Sequence, residues 1–253
     1  MESSEKSFSK LKVEQGEITV ITILGNTDLN LLHYETIKEL YDTLVVLEKD
    51  KNIRVLILTG DGNKAFCAGA DIKELANLSE DLLKKYVEEG TITYDKIENF
   101  PCPVIACVNG YAFGAGFELA LACDIRFLSE NAKMGQPAVK HGLIPPFGGL
   151  RRLPKVVGLA KAKEIIFSAI NFNASEALKL GVANKVFKHS ELLEEAKKFA
   201  QTICKNKSYS ITFSKNILNS LFTSNTYQEE IDKLTQCLSN DYTKERLNSF
   251  FNT

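Results

Sequence analysis

Hydrophobic and polar positions along this chain repeat with two periods, and each period predicts its own kind of element. Ile18 to Leu24, I-T-V-I-T-I-L, is β-branched and bounded by Gly16 and Gly25-Asn26, which predicts a strand. From His33 to Leu47 the apolar residues Ile37, Leu40, Tyr41, Leu44 and Leu47 fall on one face of an amphipathic helix. Arg54–Thr59 predicts a second strand, followed by a turn at Gly60-Asp61-Gly62-Asn63. Lys73–Asn99 is charged with helical spacing and is expected to form an outer cover. Val104–Val108 and Asp124–Leu128 read as strands with a helix over Phe117–Cys123 between them, and Lys133–Gly149, with its prolines and Gly148-Gly149, as mostly loop. Ser175 is the expected cap of a helix ending before Gly181, and Val182–Phe187 the last strand. From Ser190 the pattern is wholly helical: Glu191–Lys205, Ser208–Leu221, Tyr227–Ser239 and Tyr242–Phe251. Strands alternating with helices argue an α/β fold, and two regions follow, a core over 1–190 and a helical region over 191–253.

One stretch departs from the rest. Asn99 to Cys123 holds a single charged residue, Glu118, where a chain that is 25% charged would place about six. The small residues Gly114, Ala115 and Gly116 stand at the junction of strand and helix. A helix start leaves backbone N–H groups unpaired at the positive end of the dipole, and small side chains let a ligand approach them. Glu118 falls in that first turn, and a buried carboxylate either finds a partner or titrates upward. From the residues alone two readings stay open: a helix-end charge paired within the fold, or an acid beside an anion-stabilising backbone site, as enolate chemistry requires. Three glycines, Asn109 and Glu118 argue against a membrane span here.

Composition narrows the function further. With 44% hydrophobic residues the chain can bury a large core, and a net charge of −1 disfavours capture of nucleic acid or anionic membrane. The polar first thirteen residues lack the apolar run of a secretion signal, and the expected location is cytoplasmic. Six cysteines without C-x-x-C spacing are expected to be reduced and buried. Three widely separated histidines argue against a metal site.

Five segments together resemble the crotonase (enoyl-CoA hydratase/isomerase) superfamily over most of the chain: F-C-A-G-A-D-I at 66–72, N-G-Y-A-F-G-A-G-F-E-L-A-L-A-C-D-I at 109–125, G-Q-P at 135–137, G-G-L-R-R-L-P at 148–154 and A-S-E-A-L-K-L-G-V-A at 174–183. The resemblance implies a crotonase-like spiral of repeated β-β-α units with a helical C-terminal region. It also implies an acyl-CoA thioester substrate, with coenzyme A part of the substrate rather than a separate cofactor. Assembly is expected as a homotrimer or dimer of trimers through the C-terminal helices. By the same matching, the backbone N–H groups of Ala68 and Ala115 form the oxyanion hole, and Ala68, Gly69, Ala70, Asp71 and Ile72 line the CoA site. Glu118 matches the first of the family's two catalytic glutamates. The second falls at Ala138, which has no acid, and His141, three residues on, is either an auxiliary group or a packed histidine. The basic run Arg151, Arg152, Lys155, Lys161, Lys163 is expected on a solvated surface, with phosphate contact as the alternative. The function implied is an enoyl-CoA hydratase/isomerase-type enzyme with Glu118 as acid/base. The alternatives are a decarboxylase or dehydratase of branched or carboxylated acyl thioesters, on CoA or a carrier protein, and a catalytically weakened CoA-binding subunit.

Overall fold

The structure, a computed structural model, describes residues 10–25, 27–220, 235, 238–239 and 241–249. Asn26, Cys237 and most of the helix expected over Tyr227–Ser239 lie outside the described residues.

The sequence pairs strands in repeated units. In order these are β1 (Leu11–Glu14), β2 (Ile18–Ile23), α1 (Tyr34–Leu47), β3 (Val55–Gly60), β4 (Ala65–Cys67), α2 (Ile72–Asn77) and α3 (Glu80–Glu98). There follow β5 (Val104–Val108), β6 (Tyr111–Phe113), α4 (Ala115–Ala122), β7 (Ile125–Ser129), β8 (Lys133–Gly135), α5 (Gly149–Val157) and α6 (Leu159–Ser168). The described chain ends with β9 (Asn171–Asn173), α7 (Ala174–Lys179), β10 (Lys185–Phe187), α8 (Leu192–Cys204), α9 (Ser208–Ser220) and α10 (Asp241–Asn248). Each of β3, β5 and β7 joins a six-stranded sheet of order β1-β2-β3-β5-β7-β10, while the strand that follows it, β4, β6 or β8, joins a four-stranded sheet of order β4-β6-β8-β9. The chain therefore repeats strand, strand, helix, with parallel pairing except at β1 and β9.

The large sheet is buried on both faces, which is why β3 and β5 read as continuous apolar runs. Alternate residues point to opposite sides: Leu56 and Leu58 join the main core with α1, α3 and α4, while Val55 and Ile57 face Leu192, Ala196 and Ala200 of α8. The helical region thus begins as a layer of the core. Lys215 of α9 extends this tie, donating to Asp124 Oδ2 at 2.8 Å and to the carbonyl of Cys102 at 3.1 Å.

Three expectations are corrected. The α3 part of the expected outer cover is a layer of the core: Tyr86, Val87, Gly90, Tyr94 and Ile97 are buried, because the charges of α3 occupy one face and its apolar residues the other, whereas α2 buries no residue fully. The cap of α7 is Asn173 rather than Ser175. Its side chain accepts from the Glu176 N–H at 3.0 Å and Glu176 reaches back to the Asn173 N–H, a reciprocal pair that a serine two residues later cannot form. The first part of the basic run is not a solvated face: Arg152 is 2% exposed and pairs with Asp95 and Glu98 of α3, Arg151 pairs with Asp95, and Lys155 with Glu98, whereas Lys161 and Lys163 lie at the surface as expected. No helix among the described residues is long and apolar enough to cross a membrane.

Candidate active site

Two close approaches of backbone bring the site together. A Cβ on Gly116 would lie 1.8 Å from the carbonyl oxygen of Cys67, so only glycine lets the first turn of α4 press against the end of β4. Gly69 has φ +111, and a Cβ there would lie 2.8 Å from the carbonyl of Phe113. The 67–70 loop and the start of α4 therefore meet, as two strand–loop–helix units of one plan.

Every residue of α4 is buried, Glu118 included. Its Oε1 accepts the N–H of Phe147 at 2.9 Å and the N–H of Gly149 at 2.7 Å. Hydrogen-bond donors stabilise the ionised carboxylate, whereas burial favours the neutral acid; the two act in opposition on this group. The loop that supplies the donors is itself held, since Arg152 Nη1 donates to the Phe147 carbonyl at 2.7 Å and Arg152 Nε to Glu98 Oε2 at 2.9 Å. Burial works to raise the Glu98 carboxyl, but Arg152 and Lys155 beside it outweigh that and hold it below the usual range. Tyr94 of α3 donates to the carbonyl of Ala115 at 2.9 Å.

Glu118 opens on a cavity of about 120 Å³ whose walls include Ala70, Ala115, Gln136, Ala138 and His141. Ala68, Gly69 and Ile72 also line it, so the structure brings most of the expected loop to one place. Asp71 instead caps α2, accepting from the Lys73 N–H at 2.8 Å. The Ala68 N–H donates to the Leu29 carbonyl at 2.9 Å. That bond corrects the oxyanion assignment at this position, because an amide spent within the fold is not available to a ligand. Ala70, two residues on, forms a bridge with Leu32 in which the bonds run from the Leu32 N–H to Gly69 and from the Asp71 N–H to Leu32. The Ala70 N–H is left without a partner among the described residues. Ala115 is the first residue of α4, where an N–H precedes any intrahelical acceptor.

Sequence reasoning missed three groups here: the Phe147 and Gly149 amides, the Ala70 amide, and Gln136. The Gly148-Gly149 pair ahead of a helical pattern was the available signal for the first. A larger hollow of about 840 Å³ lies between α8, α9 and the start of β7, but the acids in its wall, Asp124 and Glu98, are paired with Lys215 and Arg152. It offers no acid beside unspent amides.

The Enoyl-CoA hydratase/isomerase family matches residues 13–251. The chain is 38% identical over 242 residues to the short-chain-enoyl-CoA hydratase of Clostridium acetobutylicum, covering 94% of this chain and 92% of that one. It is 36% identical over 248 residues to the crotonyl-CoA hydratase of Syntrophomonas wolfei, covering 96% and 95%. Among solved structures, an enoyl-CoA hydratase from Bacillus anthracis superposes with a TM-score of 0.82 at 32% identity over 96% of each chain. An enoyl-CoA hydratase/isomerase from Mycobacterium paratuberculosis gives 0.89 at 26% over 96% and 99%.

Proposed function

The chain belongs to the enoyl-CoA hydratase/isomerase family, and we propose that it adds water to a short-chain enoyl-CoA with Glu118 as its acid–base group. The observation that carries this is the buried Glu118 carboxylate in a small cavity that also holds two unspent backbone amides, those of Ala70 and Ala115. The two N–H groups receive the thioester oxygen and stabilise the negative charge that develops there in the enolate; one such donor is typically worth about 10²–10³ in rate. Water adds through its oxygen to C3, Glu118 takes one of its protons, and the same carboxyl returns a proton to C2. The Phe147 and Gly149 amides hold one carboxylate oxygen fixed while this happens. A cavity of about 120 Å³ suits a short acyl chain, being far below the roughly 300–1,000 Å³ that drug-sized ligands need. The relatives named for short-chain and crotonyl substrates support the same choice.

Ala138 favours a second reading. Without a carboxylate there, one acid–base group remains, which suffices for a 1,3-proton shift or for protonating the enolate left by decarboxylation. Turnover of crotonyl-CoA, a 3-enoyl-CoA and a carboxylated acyl-CoA separates the reactions, with hydration of crotonyl-CoA expected to be fastest. Glu118→Gln should cut that rate at least about 10²-fold with binding kept. Undiminished turnover by Glu118→Gln would overturn the assignment, and failure to bind any CoA thioester would overturn the function. Tyr209 and Phe213 stand exposed one turn apart on α9, an apolar face suited to the trimeric assembly this reading includes.

A further inference from the structure

Gln136 is 2% exposed, and neither its Oε1 nor its Nε2 has a hydrogen-bond partner among the described residues. A buried amide left unpaired carries its full desolvation cost. Most buried polar groups in folded chains are satisfied, so one that is not asks for a reason. Its location supplies one. Gln136 follows β8, whose last residue Gly135 accepts the Gly114 N–H at 3.1 Å. Its side-chain oxygen lies 3.8 Å from where a Cβ on Gly114 would stand, one residue before the Ala115 amide. The carboxamide therefore sits in the wall of the Glu118 cavity, at the end where the thioester oxygen is received. Two residues further along the same wall, Ala138 offers no hydrogen-bonding side chain.

We infer that the Gln136 carboxamide is a substrate-contacting group that holds the oxygen bonded to, or about to bond to, C3 of the acyl chain: the attacking water in one direction, the 3-hydroxyl in the other. This rests on the hydration reading above and adds to it a group that positions the oxygen at C3. A carboxamide presents one donor and one acceptor group, as a hydroxyl or a water does, so the two are complementary. An amide takes no proton near neutral pH, so Gln136 orients the oxygen while Glu118 exchanges the proton. With Ala138 in place of a second acid, Gln136 stands with His141 among the polar side chains that remain in this wall, and of the two it is the one beside the Ala115 end.

The test uses Gln136→Met, which keeps length and removes both hydrogen-bonding groups. In Glu118→Gln protein, where turnover is slowed at least about 10²-fold, calorimetry compares 3-hydroxybutyryl-CoA with butyryl-CoA, with and without Gln136→Met. The substitution should weaken the hydroxy thioester about 3- to 10-fold and leave the unsubstituted one unchanged. In otherwise unaltered enzyme it should lower kcat for crotonyl-CoA hydration roughly 10- to 100-fold with little change in KM, since the thioester itself is held elsewhere. Its melting temperature should hold or rise by about 2 °C or more, because an unsatisfied amide has been removed. Equal weakening of both ligands, or a fall in melting temperature, would overturn the inference and make Gln136 a packing residue. Discrimination between the two ligands in a protein that hydrates nothing would keep the Gln136 subsite and overturn the hydratase reading. Hydration without discrimination would do the reverse.

Discussion

Gly149→Ala tests the position of the acid without altering the acid. Gly149 opens α5 and its N–H donates to Glu118 Oε1 at 2.7 Å. A Cβ added there would stand 2.7 Å from that oxygen, 2.9 Å from Glu118 Cγ and 3.1 Å from Cδ. Ordinary contact begins at 3.4 Å, so the carboxylate must retreat by about 0.7 Å (3.4 minus 2.7) or swing aside. Displacements of about 1 Å in catalytic groups cost on the order of 10²-fold, which places the expected loss in kcat between about 10- and 10²-fold. KM should change little, because the thioester oxygen is received by other amides. Stability should hold: alanine is favoured over glycine in a helix by up to about 1 kcal/mol, which offsets the local crowding. The assay is loss of the conjugated enoyl absorbance of crotonyl-CoA, beside a thermal melt. A variant that melts with the parent and retains full kcat would refute the claim that the anchored carboxylate sets the rate.

Gly116→Ala should behave differently, since its Cβ would meet the Cys67 carbonyl at 1.8 Å and neither backbone can yield; the expected result is insoluble protein or a melting temperature lowered by many degrees, and a normal melt would contradict the packing described. Lys215→Met leaves Asp124, whose carboxyl burial already pushes upward against the Lys215 charge, without its cation, and should cost about 3 kcal/mol at pH 7 in urea melts. A buried acid with a raised pKa destabilises as pH rises through that value, so the deficit should shrink toward pH 4, and a deficit independent of pH would count against this pairing. Burial pushes the thiols of Cys67, Cys102 and Cys123 up to about 12, and that of Cys107 upward as well. Unfolded thiols ionise near about pH 8.5, so the stability these neutral thiols contribute is whole below that pH and is lost as pH climbs toward 12, at up to about 1.4 kcal/mol per thiol per pH unit; equal urea midpoints at pH 7 and pH 10 would refute it.

Much of the large sheet was legible because burial on both faces leaves unbroken β-branched runs, as at Ile18–Ile23 and Val104–Val108. The small sheet was not. Its strands β4, β6, β8 and β9 are three residues each, too short for a period to register, and they exist through pairing with segments distant in sequence. The helix α3 misled for another cause. Its charges are many, but they share one face, and Tyr86 and Tyr94 on the other are core residues whose hydroxyls bond the carbonyls of Leu32 and Ala115. At the site, Glu118 was visible as a lone charge in an apolar stretch. The fate of an individual amide was not, because whether Ala68 or Ala70 spends its N–H within the fold depends on how Leu29 to Leu32 runs beside it.

That dependence makes α3 the element on which both halves of the site rest. At one end Tyr94 holds the carbonyl of Ala115, the residue whose N–H faces the cavity. Gly90, one turn earlier, leaves room for the Phe147 ring: a Cβ there would come within 2.3 Å of it. Asp95, next to Tyr94, and Glu98, one turn later, carry Arg152, which grips the Phe147 carbonyl, and the Phe147 N–H in turn grips Glu118. The Ala115 amide proposed for the oxyanion and the Glu118 carboxylate are thus referred to one helix of nineteen residues rather than to two independent loops. Arg152 cannot be exchanged for lysine on this account, since a single ammonium cannot serve two carboxylates and a carbonyl with fixed fork geometry. The charge cluster beneath the candidate site is therefore a positioning device, and Arg151, Arg152 and Lys155 are spent on Asp95, Glu98 and the Phe147 loop rather than on meeting substrate phosphates.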